Sequence, residues 1–205
     1  MFVSFSVGNT GPFKEVTGIT TVCESLKKEF LGKNTFEVGG HNYNKISYIY
    51  GANGSGKTNF LSALTKMQKM IIMSTVLGAN NNKLLEVPAI KKELASPIET
   101  FKFDVDCKSR ETFFEIQVLL EGILYSYSFA VQDGKIQREL LTKKNKRTEI
   151  LIKRTSPKYE DILLRSGLAS FKGMVTVVRD DALCLAMAAM LNNPLANKIL
   201  NEIMN

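Results

Sequence analysis

The sequence has few of the residues on which metal centres, disulfides and histidine-based catalysis depend. Its 205 residues include one histidine, His41, and three cysteines, Cys23, Cys107 and Cys184. The cysteines are odd in number and far apart, so their spacing supports neither a disulfide framework nor a Cys-x-x-Cys metal pair. A single histidine argues against a histidine-rich metal site and against a Ser-His-Asp triad. We therefore interpret the cysteines as buried structural thiols.

Long apolar runs are also lacking. The N-terminal residues 1–5 do not form a basic segment followed by an apolar one, which is the pattern of a secretory signal. The longest apolar stretch lies near Ala186 and is interrupted by Asn192 and Asn193. This stretch is too short to span a bilayer. We therefore expect a cytoplasmic protein without a membrane partner.

The charge balance is basic. The chain has 27 Lys and Arg against 20 Asp and Glu, a formal net charge of +7. A positive surplus attracts polyanions, so nucleic acid is a reasonable partner. Many soluble domains carry such a surplus without binding nucleic acid, and composition alone leaves both readings open.

The sharpest motif is the sequence Gly-Ala-Asn-Gly-Ser-Gly-Lys-Thr at residues 51–58, which fits G-x-x-x-x-G-K-[ST]. Its glycines allow a tight turn whose amide N–H groups point at one anion, next to the positive end of a following helix. In this motif Lys57 reaches the β- and γ-phosphates of a nucleotide and the Thr58 hydroxyl is offered to Mg²⁺. The predicted cofactors are ATP and Mg²⁺. The predicted binding residues are Asn53, Gly54, Ser55, Gly56, Lys57, Thr58 and Asn59.

The motif also requires a strand before it and a helix after it, and the sequence predicts both. Residues 46–50 have strand composition, and apolar residues recur at helical spacing from Asn59 to about Val76. Further strands are predicted at 2–7, 16–22, 101–105, 112–120, 123–131, 135–141 and 148–153, with a loop around Gly32, Gly39 and Gly40. Further helices are predicted at 90–94, 180–190 and 194–204, with Pro194 at a first helical position.

These elements predict an α/β fold of the P-loop type with an antiparallel β meander and C-terminal helices. We expect one unit over 1–205, with a P-loop core at 1–78, an antiparallel β subdomain at 98–154 and a helical end at 174–205.

The phosphate loop with Asn59, preceded by the turn at 8–14, resembles the N-terminal half of an ABC-type ATPase head. The branch it resembles is that of SMC, RecF and OLD-like ATPases. The runs at 125–129 and 134–140 are further similar to bacterial anti-phage or abortive-infection ATPases of this branch. The resemblance implies that two heads sandwich ATP, giving a homodimer or higher oligomer. It also implies an effector, often a nuclease or toxin, and sensing of foreign nucleic acid or phage protein.

The resemblance implies that Asn9, Phe13 and Lys14 approach the adenine or the phosphates. An ordinary turn is the alternative for these three residues.

The sequence departs from this family pattern where catalysis is concerned. A signature motif, a Walker B run ending in Asp-Glu and a switch histidine are not found. The nearest Walker B candidate is 175–181, where Arg179 stands in place of the Mg-ligating Asp, and we interpret Asp180 as a helix-start residue. We therefore name no catalytic residue. We expect a first lobe whose catalytic carboxylate lies in a second lobe, and a chain that binds ATP better than it hydrolyses it.

Other functions remain open at this level. A nucleotide-gated, non-catalytic interaction module and an ATPase of DNA repair or recombination are the main alternatives. A kinase would need paired arginines in a lid, which Arg138, Arg147 and Arg154 do not provide, and no guanine-reading motif of a GTPase is present. The densest basic cluster, at 143–147 with Lys153 and Arg154, either meets nucleic-acid phosphates or is a solvated connection between strands.

Overall fold

The computed structural model describes residues 1–23, 32–76 and 99–205. The predicted helix at 90–94 lies outside these ranges. The strands are β1 (Phe2–Gly8), β2 (Thr17–Thr20), β3 (Thr35–Val38), β4 (His41–Asn44), β5 (Thr112–Leu120), β6 (Ile123–Gln132), β7 (Lys135–Lys144), β8 (Thr148–Arg154) and β9 (Ile162–Leu164). The α-helices are α1 (Lys57–Val76), α2 (Cys184–Met190) and α3 (Pro194–Met204), and 3-10 helices cover Val105–Ser109, Tyr159–Asp161 and Ala169–Val177.

Seven strands form one antiparallel sheet in the order β2-β1-β5-β6-β7-β8-β9. Two of its hairpins turn on two residues, Glu121-Gly122 and Asp133-Gly134. Their φ angles are 53° and 78° in the first turn and 51° and 74° in the second. Positive φ at both central residues is the type I′ geometry that suits the twist of paired strands, and Gly adopts it without strain. The meander predicted from the turn at Asp133-Gly134 is therefore confirmed.

One face of the sheet carries the core. Strand residues such as Phe5, Phe114 and Phe129 are buried there with Met67 of α1 and Ile199 of α3. Alternate residues point to the opposite face, where the side chains are smaller and only partly buried. They include Ser4, Ser6, Gln117, Ser126 and Ser128. This alternation of apolar and polar residues is typical of an antiparallel sheet that is packed on one side.

Several local predictions are confirmed. The strands at 112–120, 123–131, 135–141 and 148–153 correspond to β5 to β8, and the helix running to Val76 corresponds to α1. The helix at 194–204 is α3, which begins at Pro194 and is capped by the side chain of Asn193. The N-terminal strand at 2–7 pairs with the meander through β5, so the two share one sheet.

The predicted strand at 46–50 is wrong. These residues have no strand conformation, and their apolar side chains are exposed, with Ile46 at 67%, Tyr48 at 81% and Tyr50 at 91%. β-branched and aromatic composition favours a strand mainly through packing against neighbouring strands. Within the part of the chain that the structure describes, no strand pairs with this segment.

Two further predictions of local structure also fail. Residues 101–105 are not a strand; Asp104 instead accepts a hydrogen bond from Asp106 N at 3.0 Å and caps the 3-10 helix Val105–Ser109. The loop around Gly39 and Gly40 contains the hairpin β3–β4, because both glycines have positive φ and close a two-residue turn. Strand β9 was not predicted.

Asp180 does not start a helix. Helix α2 begins at Cys184 after Leu183, and the Asp180 carboxylate lies 2.9 Å from Lys135 Nζ instead. The Asp180 carbonyl also accepts a hydrogen bond from Ile136 N at 2.8 Å. The negative charge is therefore held by β7 rather than by a helix N-terminus.

Among the described residues, no helix is long and apolar enough to cross a bilayer.

Candidate nucleotide-binding site

The phosphate loop is a solvent-exposed turn that leads directly into α1. Residues 51–55 are exposed, and Gly54 and Gly56 have φ angles of +81° and +91°. L-residues rarely adopt these angles, so the two glycines are needed for the loop conformation itself. Helix α1 has 20 residues, and its positive N-terminal end lies at the loop. Loop and helix together have the form of an anion-binding site.

Lys57 places its ammonium group inside the loop. Its Nζ donates to the carbonyl oxygens of Gly51 at 2.7 Å and Ala52 at 2.9 Å, and to Ser55 Oγ at 3.4 Å. These acceptors are neutral, whereas a phosphate would add the attraction of an opposite charge to the hydrogen bond. An arriving phosphate would therefore compete well for Lys57. The residues of the loop therefore fit the triphosphate group of a nucleotide.

Thr58 and Asn59 occupy the first turn of α1 with exposed side chains. The Thr58 hydroxyl follows Lys57 directly, which is the position that supplies a ligand to Mg²⁺ in this type of loop. The predicted residues 53–59 thus form one contiguous surface. When bound, Mg²⁺ would neutralise phosphate charge beside Thr58.

The turn before the loop packs against it. The rings of Phe13 and Pro12 lie so close to Gly56 that a Cβ added at this glycine would be 3.5 Å from both. Phe13 also packs edge-on against Phe60 of α1, with ring centroids 6.0 Å apart, and Phe60 packs against Phe5 of β1 at 5.3 Å. Phe13 therefore connects the phosphate loop to the sheet.

Asn9 and Lys14 make contacts within the chain, and their approach to a nucleotide stays a prediction. The Asn9 amide is buried and donates to the carbonyl oxygens of Cys107 and Arg110, each at 2.9 Å, while its Oδ1 accepts from Phe101 N. Lys14 Nζ lies 2.8 Å from Asp104, and this ion pair raises the pKa of Lys14 and lowers that of Asp104. Both side chains hold the segment after residue 99 against the turn.

No Walker B strand forms at 175–181. Residues 175–177 are the end of a 3-10 helix, residues 178–181 form a connection without strand structure, and the Asp181 carboxylate lies 2.8 Å from Arg179 Nε. Asp180 is paired with Lys135, as described above. Neither carboxylate is presented on a buried strand, which is how a Walker B acid is held.

Two of the three cysteines are buried, as expected for structural thiols. Cys107 and Cys184 are inaccessible and Cys23 is half-buried, and all three are free thiols. Burial raises the pKa of the Cys184 thiol well above its ordinary value. A raised pKa disfavours the thiolate and argues against a nucleophilic role.

A glycine-rich loop of this kind, with a lysine at its end and a long helix after it, defines a P-loop nucleotide-binding protein. Residues 46–172 match the sequence model of the family described as "AAA domain, putative AbiEii toxin, Type IV TA system". The match covers more than half of the chain, which therefore belongs to this family of P-loop ATPase type. It begins at Ile46, five residues before the loop. No curated protein and no solved structure matches the chain.

Proposed function

We propose that this chain is the nucleotide-binding lobe of an ABC-type ATPase head of the SMC/RecF-like branch, acting in bacterial anti-phage defence. The observation that carries the proposal is the phosphate loop, in which exposed glycines, the Lys57 ammonium and the start of α1 converge. The family description supports the defence context, because it refers to a toxin and to a toxin–antitoxin system.

The roles follow from the positions of the side chains. The amides of residues 53–56 and the N-terminal end of α1 bind the phosphates, Lys57 neutralises the terminal ones, and Thr58 supplies a hydroxyl to Mg²⁺. Asn59 lies at the rim of the same surface. Phe13 supports the loop from behind through its contact with Gly56.

The exposed segment 46–50 supports a second lobe. Its apolar side chains lie directly before the phosphate loop and are among the most exposed large hydrophobic groups of the described residues. Exposed clusters of this kind mark interaction sites. In our proposal a further lobe, on the same or another chain, covers this segment and supplies the carboxylate that orients the attacking water.

The chain alone is then an ATP-binding module with little turnover. ATP brings two heads together as a homodimer or higher oligomer, and the change is passed to an effector nuclease or toxin. A nucleotide-gated module without hydrolysis is the second candidate. It is favoured by the ion pairs that engage Asp180 and Asp181.

The test is a titration of a fluorescent ATP analogue with Mg²⁺ into the wild-type chain, Lys57→Ala and Lys66→Ala. Lys66 is a partly buried lysine on the same helix, away from the loop, and serves as the matched control. We expect Lys57→Ala to weaken binding at least tenfold, corresponding to about 1.4 kcal/mol, and Lys66→Ala to bind as the wild type does. GTP is added as a competitor, and released phosphate is followed in the same samples.

The outcomes of this titration distinguish between the proposed functions. Equal binding by wild type and Lys57→Ala would contradict the assignment of the phosphate loop. Rapid turnover by the chain alone would contradict the need for a second lobe and would make Asp180 and Asp181 candidates for the catalytic carboxylate. Turnover that appears only after a second lobe is added would distinguish an ATPase head from a non-hydrolysing module.

A further inference from the structure

Four cations line the outer side of the β7–β8 hairpin. Lys144 ends β7, Lys146 and Arg147 form the connection, and Lys153 lies near the end of β8. All four side chains are exposed, and none forms an ion pair within the described residues. We call them the cationic row.

The register of the strands places Lys144 and Lys153 on the sheet face opposite the core. Along β7, Arg138, Leu140 and Lys144 are exposed and alternate with buried Glu139 and Leu141. Lys153 is paired with Leu140, so it shares their face. At about 3.3 Å per residue, the four steps from Leu140, opposite Lys153, to Lys144 span about 13 Å. A B-DNA strand passes about four phosphates in that length.

Arg154 does not belong to the row, although it is adjacent in sequence. Its side chain is 1% exposed, and its guanidinium donates to the carbonyl oxygens of Ser156, Ala182 and Arg179 at 2.9, 2.8 and 3.1 Å. The strand alternation therefore divides the basic cluster of the sequence into exposed cations and one structural arginine.

The carboxylates near the row are engaged elsewhere. Glu149 is the cross-strand neighbour of Lys143 but accepts a hydrogen bond from Ser166. Glu115, two strands away on the same face, accepts from Ser126 at 2.8 Å. Glu111 is paired with Arg138 at the far end. The four cations of the row thus form no ion pair with these carboxylates.

Short hydroxyl side chains lie beside the row. Ser126, Ser128 and Thr142 present them between the row and the centre of the sheet. A depression of about 170 Å³ lies at the Lys153 end, and its lining includes Phe113, Phe129 and Leu140 as well as Ser128 and Thr155. A phosphate backbone can approach such a surface closely, and hydroxyl groups are common phosphate donors.

We propose that the cationic row and the adjoining sheet face bind the phosphate backbone of double-stranded DNA. Residues 135–154 contain no aromatic side chain, so the hairpin offers no platform on which single-stranded bases would stack. Cations without aromatic residues match the regular phosphate rows of a duplex. Contacts to phosphates alone are independent of base sequence.

Counterion release predicts how strongly DNA binding depends on salt concentration. Neutralising four phosphates gives a slope of about −3.6 for the logarithm of the binding constant against the logarithm of salt concentration. Removing two of the four contacts should bring the slope to about −1.8. Reversing the two charges should also weaken binding at low salt by at least tenfold.

The test measures the anisotropy of a labelled DNA duplex of about 20 base pairs, roughly five times the length facing the row, across a salt series. The variant is Lys144→Glu with Arg147→Glu. The control is Lys33→Glu with Lys172→Glu, two exposed lysines outside the β7–β8 hairpin. Both double variants reduce the net charge equally. We expect the hairpin variant to lose affinity and slope, and the control to remain within about twofold of wild type.

Equal losses in the two variants would overturn the proposal, because overall charge would then explain the binding. Tighter binding of single-stranded DNA or of an RNA duplex than of the DNA duplex would also overturn it, as would an absence of duplex binding at low salt. Duplex binding should persist in Lys57→Ala without nucleotide. Failure of the DNA surface is therefore distinguishable from failure of the ATP site.

Discussion

Phe13 shows how a single side chain can matter to a site that it does not enter. Its ring lies against Gly56 and Phe60, and through Phe60 it reaches Phe5 in the sheet. Gly56 has a left-handed φ, so the loop has few alternative ways to keep its amides directed at one point. Support from a packed ring would keep this conformation populated before nucleotide arrives.

We predict that Phe13→Ala weakens binding of Mg-ATP by about five- to tenfold, measured by titration well below the melting temperature. The reason is that an unsupported loop must pay to become ordered on binding. Phe13→Leu should recover most of the affinity. Phe36→Ala is the control, since Phe36 stacks on Tyr43 in the β3–β4 hairpin at 5.6 Å. Comparable loss of affinity in Phe36→Ala would show that general destabilisation is responsible.

At the scale of elements, Glu139 joins β7 to the beginning of α2. Its buried carboxylate accepts hydrogen bonds from Cys184 N at 2.7 Å, from Leu185 N at 2.9 Å and from Tyr127 OH at 2.9 Å. Burial raises the pKa of Glu139 despite these three donors and the nearby charge of Arg154. A carboxyl group whose pKa is raised by folding stabilises the protein most at low pH, and this contribution is lost as the pH rises through the folded-state pKa.

We therefore predict that Glu139→Gln gains stability relative to wild type as the pH rises from about 4 to about 8. Thermal melting of both proteins across this range measures the difference. Glu160→Gln, at an exposed position, should show no such trend. The opposite result would be a wild type whose stability rises relative to Glu139→Gln as the pH rises. It would mean that the hydrogen bonds to the Glu139 carboxylate outweigh the cost of its desolvation.

At the scale of the whole molecule, the segment at 46–50 is the main departure from a well-covered fold. The seven-stranded sheet packs its core against three helices, whereas this segment carries large apolar side chains into solvent. Exposed side chains contribute little to the stability of the chain that carries them, but they promote association.

We predict that Tyr48→Ser with Tyr50→Ser changes the free energy of unfolding by less than about 0.5 kcal/mol, while reducing self-association in sedimentation experiments. Tyr127→Ser is the contrasting variant, because this tyrosine is buried and bonded to Glu139. It should cost about 3 kcal/mol or more. A large loss of stability in the Tyr48 and Tyr50 variant would mean that the segment is packed within the chain.

The success of prediction depended on how local the determining interactions are. Strands β5 to β8 were recognised because alternation and two-residue turns are written into neighbouring residues. The phosphate loop was recognised for the same reason, since residues 51–58 carry its conformation and chemistry within one short segment. The hairpin β3–β4 has the same kind of turn at Gly39-Gly40, which could have been read as a hairpin signal.

Long-range contacts limited what could be predicted from the sequence. Asn9 bonds to residues about a hundred positions away, and Glu139 bonds to residues about 45 positions away, so neither role is visible in a local pattern. Residues 46–50 have strand composition but no partner strand among the described residues, and a strand requires one. The sequence by itself determined the phosphate loop, its helix and the meander, because these depend on backbone geometry and short spacing. Only the tertiary structure decided which cations face solvent, which carboxylates are buried and which apolar segment lacks cover, because those properties depend on which distant residues meet.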